Sequence, residues 1–324
     1  MPVTNILVTG ANGFIGRSLC PELLNRGYAV RSAVRSLQSL SRDLDNTEKV
    51  AVGDISSDTG WQDALSGIDV VIHLAGRAHV MHETAGEPET EFLKVNVSGA
   101  KRLALQAASA GVKRFVFIST IKVNGEKTND CPFTEKDKPH PFDFYAASKW
   151  EAEQVLRKIE QETAMEVVIL RPPMVYGPNA PGNFARLIKL ITMGFPLPLG
   201  SIRNLRSFIY IGNLIDGIIS CIGHPNAAGQ TFLVSDGQDL STPELIVRLA
   251  SALNKHVRLL PLPLSLLRLA GVVSGRLGEI RRLTDSLRID ITKIRSELNW
   301  NPPFTVSEGL KSTAEWFISH EAGV

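Results

Sequence analysis

A chain of 324 residues with 44% hydrophobic and 21% charged side chains has the composition of a folded protein, large enough for one big domain or two closely packed ones. Its 35 basic side chains against 33 acidic ones leave a net charge of +2. That excludes a chain built mainly to coat nucleic acid, while leaving room for a local basic pocket. The first apolar run, NILVTG, begins almost at once, so no signal peptide is expected and a cytoplasmic location is expected.

Short β-rich runs at 5–9, 29–34, 50–52, 70–74, 115–119 and 167–171 alternate with helix-like stretches at 15–26, 61–65, 92–110 and 145–163. Strands as continuously apolar as VVIHLAG and RFVFIST suit a parallel sheet covered on both faces. The predicted fold class is therefore α/β, a doubly wound parallel (Rossmann) sheet. In such sheets ligands bind beyond the carboxyl ends of the strands, which sets where chemistry is sought.

At the end of the first strand, VTGANGFIG supplies Gly10, Asn12, Gly13, Phe14, Ile15 and Gly16 on the way into a helix. Glycines there permit a tight turn and close approach to a pyrophosphate, and the helix N-terminus offers free N–H groups. The loop is read as a dinucleotide cradle. The second strand ends in Val34 and Arg35, where an acid would favour NAD. Arg35, with Arg31 or Ser36, is instead suited to the extra phosphate of NADP, so NADP is preferred and NAD stays open; a solvated surface arginine is the competing reading. Asp54 and Ile55 follow at the adenine edge.

The fourth strand runs into HLAGRAH, whose Leu74, Ala75 and Gly76 should face the cofactor. His73, His79 and His82 lack a convincing carboxylate or cysteine partner, so no metal centre is expected and His73 reads as core. Three scattered cysteines, Cys20, Cys131 and Cys221, read as reduced thiols. The fifth strand ends at Ser119 and Thr120, hydroxyls able to bond a substrate alcohol.

YAASK sets Tyr145 and Lys149 four apart on one face of a predicted helix, with Asp143 as the expected cap. Running a tyrosine as a base near neutrality requires its pKa to fall by roughly three units, about 4 kcal/mol. An ammonium about 4 Å away supplies roughly 4 kcal/mol at an effective dielectric near 20. The two magnitudes match, and a Lys-depressed phenol is the expectation.

Beyond residue 171 the texture changes to RPPMVYGPNAPGNF, a Pro/Gly/Asn-rich loop, although FIYIGNLIDGIISCI and QTFLVSD still read as core. The expected division is residues 1–171 plus about 207–235 for the dinucleotide domain, and about 172–206 plus 236–324 for a smaller interleaved substrate domain. The apolar PLPLSLLRLAGVVSG holds Arg268 and two prolines; it is too short to span a bilayer, which needs roughly 20 apolar residues, and is expected to lie under a pocket.

Taken together, the glycine loop, Asp54, HLAG, the Ser119–Thr120 strand end and YAASK resemble the extended short-chain dehydrogenase/reductases. In particular the chain resembles the NAD-dependent epimerase/dehydratase group acting on nucleotide sugars, and RPPMVYGP, RSFIYIGNL and LNWNPPFTVSEGL carry the likeness along nearly the whole chain. The resemblance implies Thr120, Tyr145 and Lys149 as catalytic residues, with Ser119, Tyr145, Lys149 and Pro172 also on the cofactor. It implies Thr120, Asn183 and Arg206 on the substrate, with Arg281 and Arg282 as helpers for the diphosphate; Asn96 reads equally as cofactor-side or core. It further implies a homodimer through the helices around 92–110 and 145–163.

The pattern also departs from the group. Sugar 4,6-dehydratases of this kind carry an Asp-Glu pair after the catalytic Thr, whereas Ile121 and Lys122 follow Thr120, which disfavours water elimination. Asn124 stands where familiar 4-epimerases often have tyrosine. The expected function is a UDP-sugar 4-epimerase or a 4-keto-sugar reductase, in surface-polysaccharide sugar synthesis. The alternative is a non-catalytic dinucleotide-binding sensor or scaffold on the same fold.

Overall fold

Asn5–Thr9 (β1) centres on the branched apolar residues Ile6, Leu7 and Val8, and the chain leaves it through Gly10 into helix α1 (Phe14–Asn25), which stops where Gly27 turns at φ +83°. The computed structural model describes residues 3–38, 40–78 and 88–321. The next elements are β2 (Ala29–Val34), β3 (Glu48–Ala51), the short α2 (Gln62–Leu65) and β4 (Val70–His73). Then come α3 (Pro88–Phe92), a π-helical segment (Leu93–Gly99), α4 (Ala100–Ser109), β5 (Arg114–Ile118), α5 (Phe144–Glu162) and β6 (Glu166–Arg171). Past β6 lie β7 (Met174–Tyr176), α6 (Asn183–Thr192), β8 (Phe208–Tyr210), α7 (Ile211–Gly223) and β9 (Thr231–Leu233). The chain ends with α8 (Thr242–Ala252), α9 (Leu264–Val273), α10 (Leu277–Thr284), α11 (Thr292–Leu298) and α12 (Val306–Glu321).

Among the described residues seven strands form one parallel sheet in the order β3-β2-β1-β4-β5-β6-β9. The order reverses between β1 and β4, and the carboxyl ends of those strands flank the crevice where such sheets bind ligands. Every side chain of β4 and β5 is buried, as a strand covered on both faces requires. One face packs on α1 and α7; the other packs on α4 and α5 through Leu103, Ala107, Leu156 and Ile159. The doubly wound fold and six expected strands are all present, with ends within two residues of the expectation.

A third apolar cluster joins α6, α8, α12 and Leu267 of α9, away from the sheet. The two-stranded parallel ribbon β7–β8 links the sheet to this layer. The late segment from Leu287 to Trp300 returns to the sheet side, where Ile291, Ile294 and Leu298 share the cluster of α1 and α7.

Two expectations need correction. The helix read as continuous over 92–110 contains a π-helical segment, because Asn96 and Gly99 in it answer to tertiary partners described below rather than to helical propensity. The apolar segment expected under a pocket is instead mostly on the surface: α9 buries only Leu267 and Gly271, while Leu266, Leu269, Val272 and Val273 are exposed.

Candidate active site

The glycine loop closes tightly on β4. Gly10 sits at φ +68°, and a Cβ there would fall 2.8 Å from Ala75 N, so no larger residue fits without moving that strand end. A Cβ on Gly16 would lie 2.4 Å from the Ala11 carbonyl, which fixes how closely α1 approaches the loop. Gly13 caps α1 without a side-chain bond, and the first turn, Phe14 and Ile15 included, holds no acid. A helix entered this way presents backbone donors and a positive dipole end to an anion. Asn12 braces the cradle: its Oδ1 accepts from Ser41 N at 3.0 Å, and its carbonyl accepts from Arg17 Nε at 2.9 Å. These features fit a dinucleotide pyrophosphate.

At the end of β2, Arg35 pairs with Asp54 at 2.7 Å, both side chains 81% exposed. Such a pair contributes about 0–1 kcal/mol, so a phosphate can open it. Arg31, considered beside Arg35, is not available: it pairs with Glu48 at 2.9 Å and donates to the carbonyls of Ala64 and Ser66. Ser36 Oγ accepts from Gln38 N in its own turn. Ile55 packs where Gly99 leaves space; a Cβ on Gly99 would lie 2.3 Å from Ile55 Cγ2.

Beyond β4, Leu74 and Ala75 are hydrogen-bonded back to Thr9, through its carbonyl and hydroxyl respectively. Asn96 is buried and holds the next loop in place. Its Oδ1 accepts from Arg77 N at 2.7 Å, and its Nδ2 donates to the Arg77 carbonyl and to Ser148 Oγ at 2.9 Å. Gly76 lies against it, since a Cβ there would be 3.1 Å from Asn96 Oδ1. The Ser148 hydroxyl donates in turn to the Tyr145 carbonyl, so Asn96 connects the β4 loop to the first turn of α5. His73 is core, as read from the sequence: Nδ1 lies 2.7 Å from Thr9 Oγ1, the ring stacks on Phe117, and burial pushes its pKa down to about 3. His79 and His82 lie outside the described residues.

Thr120 ends β5 and caps the following turn, accepting from Lys122 N at 3.3 Å. Ser119 was expected to aim its hydroxyl at the strand edge. It donates instead to the Glu153 carboxylate in the interior, because a buried carboxylate bonded to Arg171 needs its remaining lone pairs filled. Arg171 also donates to Asn124 Oδ1 at 2.8 Å, so Asn124 is part of the interior brace of the β5–β6 ends. Lys122 pairs with Asp143 at 2.6 Å and ties the Thr120 turn to the start of α5.

Asp143 caps α5 as expected, its Oδ1 accepting from Ala146 N at 2.7 Å. Lys149 is buried, with Nζ 3.8 Å above the centre of the Phe117 ring. In the protein alone burial opposes the expected phenol depression. Burial raises Tyr145 to about 12, with Asp143 adding to it, although part of the ring surface stays exposed. Burial likewise lowers Lys149 to about 7, against a smaller upward pull from Glu153. Desolvation penalises both charged forms before their attraction can act.

Pro172 is buried and its carbonyl accepts from Ile121 N at 2.9 Å. Asn183 begins α6 after Gly182 and is exposed. Arg206 donates to the Asp285 carbonyl at 2.9 Å; burial lowers its pKa, Asp285 opposes that, and the Arg282 charge adds to the lowering. Arg206 and Arg282 are therefore electrostatic neighbours; both Arg282 and Arg281 are exposed on α10. Among the described residues no group of three or more potential metal ligands converges. Sequence reasoning missed Glu153 and Arg171, which lie apart in the chain and carry no local motif; Glu153 is marked only by following Lys149 at helical spacing.

Known proteins resemble this chain throughout. The NAD-dependent epimerase/dehydratase family model matches residues 6–235. A UDP-glucose 4-epimerase of Vibrio cholerae is 46% identical, covering 97% of this chain and 95% of that protein. An N-acetyl-alpha-D-glucosaminyl-diphospho-ditrans,octacis-undecaprenol 4-epimerase of Escherichia coli O157:H7 is 27% identical over 98% of this chain and 96% of its own length. The structure of MoeE5 in complex with UDP-glucose and NAD superposes with a TM-score of 0.77 at 25% identity, covering 98% of this chain and 99% of the other.

Proposed function

The chain belongs to the NAD-dependent epimerase/dehydratase family, and from that premise we propose that it interconverts the C4 epimers of a UDP-sugar with a nicotinamide dinucleotide as cofactor. The observation that carries the reading is one strand-end neighbourhood. Tyr145 and Lys149 share a face of α5, and the Lys122–Asp143 pair ties that helix to Thr120. The Vibrio cholerae relative supports the reaction class. We take residues 1–171 with 207–235 as the dinucleotide domain and the remainder as the substrate domain.

What a bound nicotinamide dinucleotide supplies is a reversible hydride acceptor. Gly10, Gly13 and Gly16 would hold its pyrophosphate against α1, and Lys149 its ribose hydroxyls. Tyr145 takes the proton of the sugar C4 hydroxyl and returns it to the C4 keto oxygen after the sugar has turned its other face. Thr120 hydrogen-bonds that oxygen. Lys149, when protonated, lowers the cost of the Tyr145 phenolate. Arg206, with Arg282 beside it, attracts the diphosphate, and Asn183 at the head of α6 meets the nucleotide side. Water elimination is disfavoured because Ile121 is buried and apolar and Lys122 is engaged by Asp143 and Glu126.

Arg35 favours a second reading, a 4-keto-sugar reductase consuming NADPH, since its exposed guanidinium ends β2 where an acid would select NAD. We further propose a cytoplasmic homodimer built on α4 and α5, which light scattering checks. One assay separates the readings: purified protein is given UDP-sugars, and separately 4-keto sugars with NADH or NADPH. Epimer formation without net cofactor consumption supports the epimerase, and NAD(P)H oxidation supports the reductase. Neither product from any of these substrates sinks both.

A further inference from the structure

The α9–α10 pair has an apolar surface that the proposed reaction does not use. Leu266, Leu269 and Val273 follow one another at helical spacing and are 49%, 58% and 81% exposed, with exposed Val272 one turn on from Leu269. The opposite side of α9 is fixed: Leu267 enters the α6/α8/α12 cluster, and Gly271 lets α10 approach so closely that a Cβ would lie 2.9 Å from Ile280 Cγ1. The exposed face is thus held outward by packing. Contiguous exposed apolar surface of this kind marks an interaction site.

The charges around it are one-sided. From 245 to 278 the chain has no acidic residue and five basic ones, Arg248, Lys255, Arg258, Arg268 and Arg276. Arg268 and Arg276 lie in and just after α9, both exposed, and exposed Arg281 and Arg282 follow on α10, opposed there by Glu279. Arg268 reaches one acid, Asp285, at a loose 3.6 Å. A second copy of this chain is a poor occupant. A two-fold contact sets a patch against itself, which would bring these arginines together without a matching set of acids. A surface that is apolar within and negative at its face satisfies both components at once.

We propose that the exposed face of α9, with Arg268 and Arg276, seats on the surface of an anionic lipid bilayer. Leu266, Leu269 and Val273 enter the headgroup boundary, and the arginines meet lipid phosphates. Attachment of this kind is peripheral, and among the described residues no helix is long and apolar enough to cross a membrane. The inference is independent of which sugar the enzyme turns over.

Co-flotation of the full-length protein with vesicles tests it. Vesicles of phosphatidylcholine and phosphatidylglycerol should carry the protein upward at low salt, and high salt should release it. Vesicles of phosphatidylcholine alone should not carry it. The double variant Leu269→Glu/Val273→Glu should lose binding by more than about tenfold while turnover of soluble UDP-sugar and the melting curve stay unchanged. Arg268→Gln/Arg276→Gln gives the same expectation through charge; it gives up the loose Arg268–Asp285 pair and removes no buried side chain. Absence of binding to anionic vesicles overturns the proposal, as does equal binding to neutral ones. So does a wild-type dimer that the Leu269/Val273 variant turns into monomers without any effect on vesicles.

Discussion

Lys149 is asked to be charged and to be buried, and the two demands oppose each other. Its ammonium stands over Phe117 in a buried side chain, and its pKa falls to about 7, while Tyr145 rises to about 12. The lysine is thus poised to gain or lose its proton near neutrality, which a helix-face argument from YAASK could not reveal. Tyr145→Phe removes the hydroxyl and leaves the ring contact with Phe92. We expect kcat to fall by roughly a hundred- to ten-thousandfold, the usual worth of a positioned acid–base group. Binding of the dinucleotide, followed by fluorescence quenching, should persist. Turnover within a few-fold of wild type would remove Tyr145 from the chemistry and revive the non-catalytic reading.

At the scale of elements, the ends of β5 and β6 are locked to α5 by charges that water does not reach. Glu153 and Arg171 form a buried ion pair, with side chains 2% and 5% exposed, and Ser119 and Asn124 complete its hydrogen bonds. Ser119, Thr120, Arg171 and Pro172 therefore reach the carboxyl edge in a fixed arrangement. Glu153→Gln should lower the unfolding free energy in urea by roughly 3–5 kcal/mol, because Arg171 keeps its buried charge without a counterion. Replacing both partners, Glu153→Met with Arg171→Leu, should recover part of the loss. A single variant within about 1 kcal/mol of wild type would mean that water or a neighbour compensates the arginine. The glycine cradle was visible in the sequence because its spacing is local. This brace was not, since its members are scattered from residue 119 to residue 171 and meet only through the sheet.

At the scale of the molecule, buried bases shape the response to pH. His73 has a folded-state pKa of about 3 against an ordinary 6.5. Between those values the unfolded chain binds more protons, so the His73 contribution to stability rises with pH and is lost as pH falls from about 6.5 toward 3. Lys149 acts in the same direction in a higher window, its burial penalty relieved as pH climbs from about 7 toward 10.5. Melting curves across the acidic window should show a His73→Gln variant losing less stability than wild type on acidification. An unchanged slope would mean that carboxylates alone govern the acid limb.

Sequence alone determined the doubly wound sheet, the Gly10–Gly16 cradle, the Asp143 cap and the pairing of Tyr145 with Lys149 on one helical face. Each depends on periodicity or spacing within a few residues, and backbone geometry converts that directly into structure. Only the tertiary structure decided that Ser119 turns inward, that a π-helical segment carries Asn96 to the Gly76 loop, that Arg31 is already engaged, and that α9 turns its apolar face outward. Those outcomes depend on which distant groups share a buried volume. Desolvation acts on whatever the fold encloses, without regard to distance along the chain.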